Sequence, residues 1–385
     1  MRDRSPQSAA LLPVYVGGFV GPFSAQATSA ILPTVATTFG IGVHQAGLAI
    51  TVYLVPFAVL MLISARIVRG FEPRNVVNLA YVVTFLGALI ALLSPWWPMF
   101  LVGLAIMGTA NAFTMPLLQN ILQAMVPPHQ LAPSLGTYAA AQAFGMFTSP
   151  LLAGFAAKVN WQLTYLVVIA AVLFILFKGL PKVGPATPSG EHGLPEPESK
   201  VPVLGTIIHI LATSIWGFCT LGIGALVGLN AATRFNLDTG ATGAVVMSGG
   251  LATFILGRPN GVLINRLGAR STLIVSAVGS SVGIWGIDHA PNVWVLVAMW
   301  AIALVSAQAA MLAVIITVLG APGGKSLNAT VQAFRFFSSA AAPLVLLPLY
   351  LSGGDQSHLA FSIPAVCVLV AGALEACNPV LRRRK

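Results

Sequence analysis

The sequence predicts an all-α integral membrane protein whose twelve transmembrane helices form two pseudo-symmetric bundles of six. Three observations support this fold class. Hydrophobic residues make up 57% of the 385 positions and charged residues only 7%, whereas soluble domains carry about 25% charged residues. Apolar runs that reach the roughly 20 residues needed to span a bilayer recur along the chain. The two halves of the chain also share short sequence patterns.

The predicted spans are apolar runs bounded by Pro, Gly, Asn and charged residues. Six lie in the first half, near residues 11–37, 45–66, 76–93, 98–125, 134–157 and 162–178. Six lie in the second half, near residues 203–230, 241–264, 271–287, 293–319, 328–350 and 358–377. The predicted domains are therefore an N-terminal bundle over 1–178, a linker over 179–202 and a C-terminal bundle over 203–385. The linker is rich in proline and acidic residues, a composition typical of a flexible, solvated segment.

The basic residues predict the orientation in the membrane. If both termini and the linker are cytoplasmic, 17 of the 19 Lys and Arg residues lie inside, and only Lys158 and Arg234 lie outside. Cytoplasmic loops of membrane proteins carry such an excess of positive charge. The net charge of +10 is thus explained by topology and does not indicate nucleic-acid binding. We expect a monomeric, multi-pass protein of a bacterial inner membrane, with the lipid bilayer and a small-molecule substrate as its partners.

Ordered matches between the halves predict an internal repeat. Phe39-Gly40-Ile41 returns 196 residues later as Phe235-Asn236-Leu237, and Ser149-Pro150 is matched by Ala342-Pro343. Two parallel six-helix repeats joined by a linker are typical of transporters whose substrate site lies near the bilayer midplane.

The segment 261–270, at the inside end of the eighth span, carries a recognisable motif. It reads Gly-Val-Leu-Ile-Asn-Arg-Leu-Gly-Ala-Arg and resembles the G-x-L-a-D-R-x-G-r-r signature of the major facilitator superfamily. The glycines are expected to allow a tight turn and close helix contact. Asn265 replaces the acidic residue and can still cap the next helix. The gating residues that this resemblance implies are Gly261, Asn265, Arg266 and Gly268, with Arg69 in a degraded first-half copy and Pro150 in the fifth span.

Two further segments resemble the drug:proton antiporter branch of that superfamily. Residues 145–154 are similar to its fifth-helix motif g-x-x-x-G-P-x-x-G-G, with Ser149 in place of one glycine. Residues 101–116 are similar to its fourth-helix motif, with Leu104 in place of the membrane arginine. The resemblance implies the twelve-helix major facilitator fold and a secondary transporter that exports a compound in exchange for protons.

The scarcity of membrane charges narrows the choice of a coupling group. Glu72 is the only Asp or Glu between Asp3 and Glu191, and it lies between two spans, so the first six spans lack a buried carboxylate. A proton-coupled carrier needs a group that titrates as its exposure changes. The remaining candidates are His209 and Glu375. Alternatively, His209 is a neutral packing residue, and Glu375 faces the basic residues near the C terminus.

Two arginines lie within predicted spans, Arg335 in the eleventh and Arg258 in the eighth. Charge inside a membrane is costly and marks functional sites by default, so both are candidate ligands for an anionic substrate. The repeat places Gln142 at the position that matches Arg335. Alternatively, both arginines extend their side chains to the cytoplasmic surface.

Other polar or amphipathic residues at middle depth outline a mostly apolar pocket, as small-molecule sites tend to be. They are Gln26, Tyr53, Asn111, Trp216 and Gln308. Each can alternatively form a hydrogen bond between helices and not bind substrate.

Three functions remain open. The first is efflux of a small organic compound by a secondary active transporter, driven by protons or a counter-transported anion. The second is exchange or facilitated transport of organic anions through Arg335 and Arg258. The third is a membrane-embedded enzyme or sensor, which would need clustered Asp, Glu, His or Cys residues or an added soluble domain. The sequence offers neither, and we expect no enzymatic activity, no cofactor and no metal site.

Overall fold

The computed structural model describes residues 6–27, 31–68, 70–157, 159–182, 203–237, 239–321, 324–352 and 354–378. Within these residues the regular structure is helical. The α-helices are α1 (Pro6–Ala27), α2 (Leu32–Phe39), α3 (Val43–Ala46), α4 (Leu48–Ile67), α5 (Pro73–Leu93), α6 (Trp97–Met125), α7 (Pro128–Ala156), α8 (Thr164–Lys178), α9 (Val203–Trp216), α10 (Gly224–Phe235), α11 (Thr239–Leu267), α12 (Ala269–Asp288), α13 (Val293–Leu319), α14 (Gly324–Leu351) and α15 (Asp355–Ala376).

These helices correspond to the twelve predicted spans and confirm the fold class. The first span comprises α1 and α2, the seventh comprises α9 and α10, and the short α3 precedes the second span. Among the described residues, eight helices are long and apolar enough to cross a membrane on their own. α7 and α14 are also long enough to cross a membrane, and each contains six Ser, Thr, Gln or Asn residues.

The seventh span is interrupted by a π-helical turn, Gly217–Leu221, between α9 and α10. The amide of Gly222 donates to the carbonyl of Gly217 at 3.2 Å, a bond across five residues. π turns widen a helix locally and are frequent at functional sites. The sequence predicted one continuous span here, because the residues of the turn are apolar.

Two helix ends reproduce the predicted repeat. α2 ends at Gly40 with φ 65°, and α10 ends at Asn236 with φ 51°. Asn236 is also the one non-glycine residue with positive φ in the described chain. Glycine adopts the left-handed conformation freely, and asparagine is among the residues that tolerate it. The spacing of 196 residues therefore matches two equivalent caps.

Contacts between residues divide the chain into two compact units. The first comprises residues 1–128 and 141–196, and the second comprises 129–140 and 197–385. In the first unit α6 packs against α1, α4 and α5; in the second, α9 packs against α14 and α15, and α12 against α13 and α15. The beginning of α7 thus belongs with the second unit. The predicted domain boundaries at 178 and 203 stay a prediction.

Candidate functional site

A buried imidazole and a buried carboxylate meet between α9 and α15. Nδ1 of His209 lies 2.8 Å from Oε1 of Glu375, and the side chains are 1% and 0% exposed. The two proton-coupling candidates are therefore in direct contact, although 166 residues separate them. The alternative interpretation was that Glu375 faces the basic residues near the C terminus. In the structure its carboxylate faces His209. The basic residues near the C terminus lie outside the described residues.

Asn378 completes this cluster. Its side-chain nitrogen lies 3.4 Å from Nε2 of His209, 3.4 Å from Oε2 of Glu375 and 3.2 Å from the carbonyl of Gly205. The contacts favour the tautomer of His209 in which Nδ1 donates to the carboxylate and Nε2 accepts from the amide. Sequence reasoning missed Asn378, although its position three residues after Glu375 was a usable signal.

Arg335 lies on α14 beside the π turn of the seventh span. A side chain at Gly217 would clash with the carbonyl oxygen of Arg335, and its Cβ would lie 3.0 Å from Cγ of the arginine. One guanidinium nitrogen, Nη1, donates to Gln332 at 3.1 Å, and the guanidinium lies 5.2 Å from the ring centre of Phe336. Nε has no hydrogen-bond partner. The ion pairs found among the described residues all involve histidine, and none includes Arg335.

Thr213 and Trp216 lie on the face of α9 that carries His209. They are 1% and 0% exposed, and neither the Thr213 hydroxyl nor the Trp216 indole nitrogen has a hydrogen-bond partner. Buried polar groups normally find partners. The sequence singled out Trp216 and missed Thr213, although its position four residues after His209 places both on one helix face.

The first unit contains a neutral polar cluster. The Tyr53 hydroxyl donates to the carbonyl of Gly21 at 3.1 Å and accepts from the Asn111 side-chain amide at 3.1 Å. Asn111 is fully buried, and its carbonyl oxygen has no partner. The structure thus brings two predicted substrate residues into contact. It equally satisfies the alternative interpretation of a hydrogen bond between helices, here α4 and α6.

The remaining predicted substrate residues are less buried. Gln26, Gln142 and Gln308 are partly exposed. Arg258 is exposed and lines a groove along α11 with Arg266 and the apolar residues Pro259, Val262 and Leu263. Its position does not resemble that of Arg335, which lies against Gly217 in the π turn.

The motif over 261–270 forms a close contact between α11 and the beginning of α7. A side chain at Gly261 would clash with the backbone of Ala132, and Gly268 turns the chain with φ 77°. The expectation that Asn265 caps the next helix is wrong. α12 has Gly268 at its N-cap without a side-chain hydrogen bond, and the Asn265 amide instead donates to the carbonyl of His129 at 2.7 Å. An amide can donate where a carboxylate cannot.

The antiporter-like segment of α7 contacts α1. The Ser149 hydroxyl donates to the carbonyl of Phe23 at 2.9 Å, and a side chain at Gly145 would meet the carbonyl of Phe19. Ser149, which replaces a glycine of the motif, therefore forms a hydrogen bond between α7 and α1. Pro150 lies within α7. Arg69, the gating residue predicted in the first half, lies outside the described residues.

A second histidine-carboxylate pair, which the sequence did not predict, joins the end of α12 to α15. Nδ1 of His358 lies 2.7 Å from the Asp288 carboxylate, and His289 lies 3.7 Å from it. Arg234 at the end of α10 donates to the carbonyl of Asp288. In the described part of the chain, no group of three or more His, Cys, Asp or Glu side chains is arranged to hold a metal ion.

Comparisons with known proteins identify related sequences. The sequence profile described as Major Facilitator Superfamily matches residues 14–343. The lincomycin resistance protein LmrB of Bacillus subtilis is 20% identical over 241 residues, which cover 62% of this chain and 49% of that protein. LmrB of Listeria monocytogenes is 24% identical over 166 residues, 43% of this chain and 35% of that protein. The matched region thus spans about half or less of these relatives.

Solved structures agree with the fold over almost the whole chain. The human organic anion transporter MFSD10 (TETRAN) has a TM-score of 0.79 at 15% identity, covering 97% of this chain and 100% of that one. The proton:xylose symporter XylE has a TM-score of 0.80 at 14% identity, covering 96% and 95%. At such identities the likeness shows the fold alone.

Proposed function

Because the chain belongs to the major facilitator superfamily, we propose that it is a secondary active transporter that exports a small organic compound by alternating access. Two six-helix bundles, over 1–178 and 203–385, would move about a central substrate site. The drug-resistance relatives support efflux as the direction, and the contact between α7 and α1 at the antiporter-like segment supports the same branch.

The proposed location is a bacterial inner membrane, with both termini and the linker in the cytoplasm and the protein acting as a monomer. The support is the distribution of basic residues and the bacterial origin of the relatives. Cysteines introduced at Ser189 and Gln356 test the orientation. An impermeant thiol reagent applied to intact cells should label position 356 and leave position 189 unlabelled; the reverse pattern would refute the orientation.

The observation that carries the coupling proposal is the buried contact between His209 and Glu375. A histidine and a carboxylate can take up and release a proton, and their burial makes each charge state sensitive to local hydration. Movement of α9 against α15 would change that hydration. Asn378 holds both groups through one amide, so a change of protonation would also change the contact between the two helices.

Transport into proteoliposomes tests this proposal, with lincomycin as the probe because of the named relatives. An imposed pH gradient should drive lincomycin accumulation by the unmodified protein. His209→Gln and Glu375→Gln should each abolish the pH-driven part and retain downhill flux. His289, an exposed histidine directly after α12, provides the matched control, and His289→Gln should transport normally. Full pH-driven transport by the His209→Gln/Glu375→Gln double variant would exclude both residues from coupling. Absence of any lincomycin flux with the unmodified protein would exclude lincomycin as a substrate.

Exchange or facilitated transport of organic anions is the second candidate function. The observation in its favour is Arg335, which has no acidic partner among the described residues. A flux that ignores the pH gradient and depends on an anion on the opposite side of the membrane would favour exchange over proton antiport.

A further inference from the structure

We propose that Arg335, Trp216 and Thr213 form a binding site for the carboxylate group of an aromatic organic anion. The proposal rests on the proposed transport function and names the class of substrate that the second unit would bind. It depends on three buried donor atoms that have no hydrogen-bond partner. They are Nε of Arg335, Nε1 of Trp216 and Oγ1 of Thr213.

The three donors belong to two helices that pack against each other, Thr213 and Trp216 to α9 and Arg335 to α14. His209, Thr213 and Gly217 follow one another at intervals of four residues, which places them in a line on one face of the seventh span. One end of this line contacts Glu375 on α15, and the other end contacts Arg335 on α14. Thr213 therefore lies between the two contacts, about 6 Å along the helix axis from each.

The unmade bond of Thr213 is unusual within this protein. Other buried threonines donate to a carbonyl three or four residues earlier, as Thr114, Thr84 and Thr317 do at 3.0, 2.9 and 2.8 Å. The Thr213 hydroxyl makes no such bond. A hydroxyl that could use its own helix but does not is available to a group that arrives from outside the helix.

The tryptophan shows the same contrast. The indole nitrogens of Trp161 and Trp300 donate to Thr38 and to the carbonyl of Val246, each at 3.0 Å. The indole nitrogen of Trp216 has no acceptor, although this side chain is fully buried. Indole nitrogen only donates, so the missing partner is an acceptor.

Arg335 supplies the charge. Its Nε lacks a partner, and its contact with the neutral Gln332 through Nη1 leaves the positive charge uncompensated by any described acid. Arginine forms its strongest hydrogen bonds with carboxylates, often through two donors at once. The ring of Phe336 provides apolar surface beside the guanidinium, and Trp216 adds a buried ring on α9. An aromatic carboxylate matches this combination of one cation, neutral donors and rings.

Binding to the purified protein in detergent tests the site independently of transport. The probes are benzoate and 2-naphthoate, each compared with the uncharged amide of the same shape, and the readout is the rise in melting temperature with ligand concentration. The unmodified protein should prefer each carboxylate to its amide by at least about tenfold, since hydrogen bonds to charged groups contribute about 1.5–3 kcal/mol. No preference would overturn the proposal.

Variants that keep the shape of each side chain locate the donors. Thr213→Val and Trp216→Phe should each weaken carboxylate binding by about tenfold and amide binding by less, because hydrogen bonds to a charged acceptor are stronger than those to a neutral carbonyl. Arg335→Lys should weaken it because the fork becomes a point charge, and Arg335→Gln should nearly abolish it. Thr317→Val and Trp285→Phe, whose side chains lie elsewhere, are matched controls and should bind as the unmodified protein does.

Two results would contradict the site. If Thr213→Val and Trp216→Phe raise the melting temperature without ligand but leave carboxylate affinity unchanged, the donors are packing defects. If a well-folded Arg335→Gln protein retains wild-type affinity, the charge has no role in binding. Carboxylate binding without lincomycin or anion flux would retain the site and refute the transport proposal, so the two failures are distinguishable.

Discussion

The polar centres of the two units differ in charge, although the two halves of the sequence share an internal repeat. In the first unit, Tyr53 and Asn111 bind each other and a backbone carbonyl, and no ionisable group with a charge near neutral pH is involved. In the second unit, His209 contacts Glu375, and Arg335 lies beside the π turn of the same span. The first unit has a neutral hydrogen-bonded contact between helices, and the second unit has a contact between titratable groups. A coupling mechanism in this protein is therefore expected to be asymmetric.

The largest expected effect concerns the charged cluster. His209→Leu should lower the stability of the protein by about 3–5 kcal/mol, because it leaves a buried carboxylate without its imidazole partner. The midpoint of thermal unfolding in detergent is the measurement. Adding Glu375→Leu should recover most of the loss, since it removes the buried carboxylate that His209→Leu leaves without a partner. If His209→Leu unfolds like the unmodified protein, the pair is not a stabilising contact, and the contrast with the neutral cluster disappears.

A pair of glycines sharpens the comparison, because Gly21 and Gly217 are 196 residues apart, at the repeat spacing. Gly217→Ala should destabilise the protein by about 1–3 kcal/mol, since the new methyl group clashes with the Arg335 backbone. Gly21→Ala should be neutral or slightly stabilising, because its methyl group meets no described atom within 4 Å. Unfolding midpoints of both variants check this. Equal effects would show that the two helices pack alike at these positions.

The neutral cluster should be less sensitive. Tyr53→Phe removes one hydroxyl that makes two hydrogen bonds, and the expected loss is about 1 kcal/mol. The effect should be smaller than that of His209→Leu in the same unfolding assay and should not vary between pH 5 and 8. Phe57→Leu, which removes a ring stacked on Tyr53 without touching the hydrogen bonds, separates packing from hydrogen bonding. A loss for Tyr53→Phe as large as for His209→Leu would contradict the proposed difference between the units.

The smallest effect concerns the motif after the eighth span. The first-half copy has Val68 where the second has Asn265. Asn265→Val should cost only about 0.5 kcal/mol, because the side chain is exposed and makes one hydrogen bond to His129. Transport rate and unfolding midpoint should both stay close to those of the unmodified protein. A strong loss of transport at unchanged stability would show that this hydrogen bond controls the conformational change.

The sequence predicted the spans well, because apolar length and basic loops respond directly to the bilayer. The tenth span was predicted at 293–319, and α13 occupies the same residues. Contacts between distant helices were harder to predict. The pairing of His209 with Glu375 depends on which helices pack together and how each is rotated, and a single sequence contains neither. For the same reason Asn265 was assigned to the adjacent helix, while its partner is on α7.

The candidate site was predicted in part. Singling out charged residues found Arg335, but burial separates it from Arg258, which is exposed. Thr213 and Asn378 were missed because Thr and Asn are common in membrane helices and carry no charge. Their significance lies in a missing or shared hydrogen bond, which only coordinates reveal.

The π turn of the seventh span makes the length of the segment Gly217–Leu221 more important than its composition. Each residue rotates an α-helix by about 100°, and the turn accommodates an additional residue between α9 and α10. α9 directs His209 towards Glu375, and α10 directs Arg234 towards Asp288. Deleting one residue from the turn would rotate α9 relative to α10 by about 100°. The contact of His209 with Glu375 and that of Arg234 with Asp288 could then not both form. Among descendants of this gene, the segment should therefore tolerate changes of residue far more readily than changes of length.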